Sequence, residues 1–153
     1  MVETNKQATD TFPRLLQQHA LTRPTHPAFR EKHLGIWQTT SWADVETHVR
    51  LLACGLAALG FKRGMNLAVV GDNRPRLYWA MAAAQSLGGV AVPLYQDAPA
   101  ADMAYVLENA EIDFAIVEDQ EQVDKLLEIR QTVKGLTHIV YDDGRGLRNY
   151  TQS

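Results

Sequence analysis

Leu67-Ala68-Val69-Val70-Gly71-Asp72-Asn73-Arg74-Pro75 is the stretch on which the fold turns. Four apolar residues with no alternation read as a strand buried on both faces. Gly71 to Arg74 supply a polar turn, and Pro75, with φ already fixed and no N–H to satisfy, suits the first position of a helix. That helix, predicted over 75–87, is alanine-rich and almost wholly apolar, so it belongs in the interior with neighbours on several sides. Gly88-Gly89 stops it. The same rhythm then repeats: a strand over 90–94, an amphipathic helix over Ala100–Asn109, a strand over 114–117, a helix over 120–133 and a strand over 137–141. The 120–133 helix is read through Val123, Leu126, Leu127, Arg130 and Val133. Strands alternating with helices imply an α/β fold, a mostly parallel sheet with helices on both faces.

Upstream, Ser41-Trp42-Ala43-Asp44 fits a capping box that opens a long helix. Trp42, Val45, Val49, Leu52, Leu56 and Leu59 recur at three- and four-residue steps along one stripe of it. Gly60 lies where a left-handed terminating residue is wanted. Cys54, the single cysteine, sits among the apolar residues of this helix and reads as a buried structural thiol. Before it, residues 28–32 and 36–40 read as a short N-terminal hairpin turning near Gly35. A first helix over 14–21 follows Thr11-Phe12-Pro13, with Phe12, Leu15, Leu16 and Ala20 on one face. Trp37, Trp42, Trp79 and Tyr78 read as core aromatics. The polar residues 142–153, with two glycines, read as a frayed end or as the start of a connection to more chain.

At 153 residues, with 46% apolar and 22% charged side chains, the composition is that of one globular domain over 1–153. A net charge of −3 with no charge run argues against nucleic acid as a partner. Residues 1–10 are polar and do not read as a secretory signal, and no stretch nears the roughly 20 apolar residues of a membrane span. A cytoplasmic location is expected.

Ligands in open α/β sheets collect at the carboxyl ends of the strands, where helix N-termini present unpaired amides. The amides ahead of Pro75, with Arg74 as counter-charge, suit a phosphate or carboxylate. Asp72 or Asn73 acting as a helix cap is the competing reading, since Asp72 repels an anion and the loop has one glycine. Tyr95, just past a strand end, is placed to line a pocket. Asn73, Arg74 and Tyr95 are therefore the candidate cofactor-binding residues. The pairs Glu118-Asp119 and Asp142-Asp143 read as turn or capping residues. The five histidines are scattered, so neither a catalytic nor a metal-binding residue is assigned.

The order of these segments resembles long-chain fatty acid-CoA ligases and related adenylate-forming, AMP-binding enzymes. The resemblance is carried by Gly71-Asp72-Asn73-Arg74-Pro75 with Tyr78-Trp79, by Gly88-Gly89-Val90 with Val92-Pro93-Leu94-Tyr95, by Tyr105-Val106-Leu107-Glu108-Asn109-Ala110, and by the strand and acid at 114–118. Thr39-Thr40-Ser41-Trp42, Gly55-Leu56 and Leu59-Gly60 extend it upstream. It departs at Gln96, where many relatives have proline, and at Leu77, which replaces an acid. The resemblance implies part of the large N-terminal domain of an enzyme that activates a fatty acid with ATP and Mg to acyl-AMP and passes it to CoA. The family's phosphate loop, metal-binding acid, ribose aspartate and late lysine have no counterpart here. The chain alone is accordingly expected to be inactive and to bind none of ATP, CoA or Mg tightly. Its expected partner is the downstream part of the same polypeptide, with self-association when that part is missing. The full-length enzyme is expected in the cytoplasm or peripherally at a membrane. Two rival readings are a stand-alone, non-catalytic partner-binding module and an unrelated flavodoxin-like small-ligand domain.

Overall fold

The apolar run predicted as a strand forms an inner strand of the sheet, β3 (Asn66–Val70), in a computed structural model that describes residues 11–150. Leu67 and Val69 point to one face and Ala68 and Val70 to the other, and all four are buried. Helix α3 (Pro75–Ser86) follows, then β4 (Val90–Leu94), α4 (Ala100–Asn109), β5 (Ile112–Val117), α5 (Gln120–Ile129) and β6 (His138–Tyr141). The four strands pair in parallel in the order β4-β3-β5-β6. One core joins α4 and α5 to Ala68, Val70, Ala115 and Val117. The other joins α3 and the upstream helix α2 (Trp42–Ala58) to Leu67, Val69, Phe114 and Ile116. The expected parallel sheet with helices on both faces is present, as is the antiparallel hairpin of β1 (Pro27–His33) and β2 (Ile36–Ser41).

The capping box at the start of α2 is complete: the Asp44 N–H donates to Ser41 Oγ at 3.3 Å and the Ser41 N–H to Asp44 Oδ2 at 3.1 Å. Gly60 adopts φ +100° just past its end. The buried stripe of α2 is Val45, Val49, Ala53 and Leu56, whereas Leu59 is exposed and Leu52 half-buried. Cys54 is exposed, correcting the buried-thiol reading, because one residue past Ala53 turns the side chain about 100° away from the stripe.

Other expectations change at the margins of the fold. Helix α1 (Phe12–Thr22) rests on one side only, so Phe12 is exposed while Leu16 packs. Trp37 and Tyr78 are exposed rather than core residues, because neither face of the hairpin is covered near its tip and Tyr78 lies on the outer side of α3. Trp79 does turn inward and stacks on His48, with ring centroids 4.3 Å apart. Helix α5 ends at Ile129, its buried face is Gln122, Val123, Leu126 and Ile129, and Val133 is buried from the following loop. The described part of the tail is not frayed. Leu147 is buried, and the Tyr150 hydroxyl bonds to Asp124 and accepts from Gln120 at 3.1 Å. The expectation about residues 1–10 lies outside the described residues.

Candidate functional site

The strand order fixes where the site forms. From β3 the chain moves to one side for β4 and then back across β3 to β5, so the direction of winding reverses between β3 and β5. Their carboxyl ends, Gly71 to Arg74 and Glu118, flank the crevice in which such sheets bind ligands. The Glu118 N–H donates to Val70 O at 2.9 Å, which extends the β3–β5 ladder by one bond and sets Glu118 directly beside Gly71.

Glu118 is the hub of this crevice. Its Oε2 accepts from the Asp72 N–H at 2.6 Å and its Oε1 accepts from Arg74 Nε–H. The Glu118 side chain is 15% exposed and that of Arg74 46%. The hydrogen bond it donates to Glu118, and then the Glu118 charge, raise the Arg74 guanidinium above its ordinary value. The anion expected at the start of α3 is thus the protein's own carboxylate. Neither Asp72 nor Asn73 caps the helix, since Arg74 is the N-cap and no side chain bonds there; Asp72 instead accepts from the Asn73 N–H at 2.9 Å.

The acids after β5 and β6 do more than shape turns. Arg76 Nη1 donates to Asp142 Oδ1 at 2.6 Å, and Arg145 Nε to Asp143 Oδ2 at 2.6 Å, holding the Asp143 carboxyl below its usual range. Asp119 caps α5. These pairs line a cleft of about 660 Å³ that Glu31, Lys32 and His33 of the hairpin overhang. Arg74 faces this cleft. Asn73 and Tyr95 line a different pocket, of about 190 Å³, between the ends of β3 and β4. There the Tyr78 hydroxyl donates to Asn73 Oδ1 at 3.2 Å, and a hydrogen bond to Asp97 raises the Tyr95 hydroxyl above its ordinary value. The three candidates from sequence therefore fall into two neighbouring sites.

Glu118 was not among those candidates, although a signal existed. An acid at the end of one apolar strand and an arginine after another meet when both strands are parallel and adjacent. Chemically, the cleft holds matched charges: Arg74, Arg76 and Arg145 each face a carboxylate, which suits holding loops in place. Among the described residues no cluster of three or more His, Cys, Asp or Glu is arranged to hold a metal.

Residues 16–152 match the family of AMP-binding enzymes. The chain belongs to the AMP-binding enzyme family. Within it, the chain is 33% identical over 141 residues to the uncharacterized protein Rv1549 of Mycobacterium tuberculosis, covering 92% of this chain and 77% of that one. It is 27% identical to the long-chain-fatty-acid–CoA ligase ACSBG2 of Xenopus laevis, covering 85% of this chain and 18% of that ligase. Among solved structures, the inhibitor-bound N-terminal domain of FACL13 from Mycobacterium tuberculosis superposes with a TM-score of 0.78 at 22% identity, over 86% of this chain and 33% of that one. At that identity the likeness shows the fold, which is that of the N-terminal domain of adenylate-forming enzymes. AMP-binding membership also sets aside the flavodoxin-like alternative. The chain spans less than a quarter of the length of the curated long-chain-fatty-acid–CoA ligases it matches, 18% of ACSBG2 and 23% of FadD15.

Proposed function

We propose that residues 1–153 form one domain that serves as the structural platform of a long-chain acyl-CoA ligase. In this reading the complete enzyme activates a fatty acid with ATP and Mg and passes the acyl group to CoA. The observation that carries it is the occupancy of the switch-point crevice by Glu118. The amide and guanidinium that would meet a phosphate already hold a carboxylate, and Asp142 and Asp143 add negative charge nearby. These residues do not fit a triphosphate or its magnesium, so adenylation is assigned to polypeptide beyond this platform and its partner is that polypeptide. Asn73 and Tyr95 keep their place as ligand-facing candidates in the pocket between the ends of β3 and β4, whereas Arg74, held by Glu118, serves the platform. The enzyme is assigned to the cytoplasm, with peripheral attachment to membranes.

The test is direct. Purified chain incubated with palmitate, ATP, Mg and CoA is expected to release no pyrophosphate above a no-protein control. Turnover that tracks protein concentration overturns the platform reading.

A second reading has one observation in its favour: Rv1549 is a short relative, of which this chain covers 77%. Under it, such chains act as stand-alone, non-catalytic modules that bind a partner. A genomic reading frame that stops at Ser153 supports this module, and one that runs on into a phosphate loop rejects it.

A further inference from the structure

Helix α1 rests on α2 and α3 without sealing against them. None of its eleven residues is fully buried, and its Phe12 and Leu21 are 74% and 82% exposed. Between the three helices runs a groove of about 250 Å³. On α2 it is lined by Glu46, Val49, Arg50, Ala53, Cys54 and Ala57, which recur at steps of three and one and so form one continuous face about 16 Å long. Leu16 of α1 and Leu87, just past α3, form the facing wall. A volume of that size drawn out over that length is a slot one chain wide, not a chamber for a ring. Val49 and Ala53 are buried on its floor, which is therefore apolar.

The polar groups are confined to the rim. Glu46 and Arg50 stand one helical turn apart there, with Arg50 Nε 3.6 Å from Glu46 Oε1. Their charges cancel, so the rim offers no net charge to a carboxylate or an ammonium. Gln17 and Ser86 add an amide and a hydroxyl. Ser86 Oγ donates to Ala82 O at 2.7 Å and keeps its lone pairs for a donor. The groove shares no lining residue with the Arg74 cleft or the Tyr95 pocket.

We propose that this slot binds one hydrocarbon chain carrying an uncharged polar head, a ligand of the fatty alcohol class. The chain lies along Val49, Ala53 and Ala57 under Leu16, and the head meets the neutral polar groups of the rim. Removing the chain from water supplies the affinity, and α1, with no residue fully buried of its own, gains the apolar contact it lacks. The inference stands apart from the ligase reading, because it concerns a separate surface, and it is tested without turnover.

Calorimetric titration of the intact chain with 1-decanol, below its solubility limit, reads the affinity. Alkylation of Cys54, the single cysteine and an exposed one, by iodoacetamide reads the place. The dissociation constant for 1-decanol is expected to lie about tenfold below that for 1-octanol, since two further methylenes are buried. Saturating decanol should slow alkylation at least about threefold by covering the thiol, and 1-butanol should leave the rate unchanged. Ala57→Trp, at an exposed helical position, fills the slot and should abolish binding while circular dichroism and Tm match the parent. The proposal is overturned if decanol neither binds nor protects Cys54, or if Ala57→Trp binds it as well as the parent does. Decanoate binding as tightly as decanol overturns the uncharged head. Alkylation that slows with protein concentration alone assigns the groove to a second copy and likewise overturns the proposal.

Discussion

At the scale of single residues, the crevice depends on an atom that is missing. Gly71 has φ +157°, and a Cβ built there lies 2.7 Å from Glu118 Cβ and 2.7 Å from Leu77 Cδ1, closer than carbon atoms pack. Glycine at 71 therefore lets β3 and β5 carry Glu118 flush against the loop, and Leu77 fills the space beneath. Gly71→Ala must push the Glu118 backbone or Leu77 aside and is expected to cost about 1–3 kcal/mol. The urea midpoint should fall at unchanged slope, and an unshifted midpoint refutes the crowding argument. Glu118→Gln keeps the shape but loses the charge that Arg74 and the Asp72 amide share. A loss of about 1–3 kcal/mol is expected, because a half-buried donor loses its charged acceptor. Thermal melts at neutral pH check it, and a Tm equal to the parent's removes Glu118 as the hub.

At the scale of elements, α2 rests on its capping box. Ser41→Ala removes one acceptor from the first turn and should cost about 1 kcal/mol. The hydroxyl of Ser41, and then its amide, hold the Asp44 carboxyl below its ordinary value of 3.8. The sign follows from the lowered value: the contribution is complete above 3.8 and is lost as pH falls through the lower folded value. Between neutral pH and pH 3, Tm should consequently fall less steeply in Asp44→Asn than in the parent. Parallel acid limbs contradict the capping contribution. This box was legible in the sequence because it is local, and so were the six strands, whose apolar runs or turn residues mark them without reference to neighbours. What was not legible depended on partners. The periodicity of α2 admitted Leu59 to the stripe, but its burial ends with the neighbours that cover Leu56. Gln122 replaced Leu127 on the buried face of α5 for the same reason. At the site, Asn73, Arg74 and Tyr95 were each placed at strand ends correctly, yet only the strand order reveals that Arg74 faces Glu118 while the other two share a separate pocket.

At the scale of the whole molecule, the sheet ends in two open edges. Both β4 and β6 pair on one side only, and each leaves a row of backbone groups available to another strand. The edges are not equivalent. Pro93 sits within β4, where it has no N–H to offer and interrupts any new ladder, whereas β6 contains no proline and leaves Tyr141 exposed. Self-association is therefore expected to run mainly through β6. In sedimentation velocity over a concentration series, the weight-average coefficient should rise for the parent. Tyr141→Lys, a change at an exposed position, should suppress that rise with little effect on Tm, and Val90→Lys on β4 should suppress it less. A monomer at every concentration refutes edge pairing, and association that survives Tyr141→Lys moves the contact off β6.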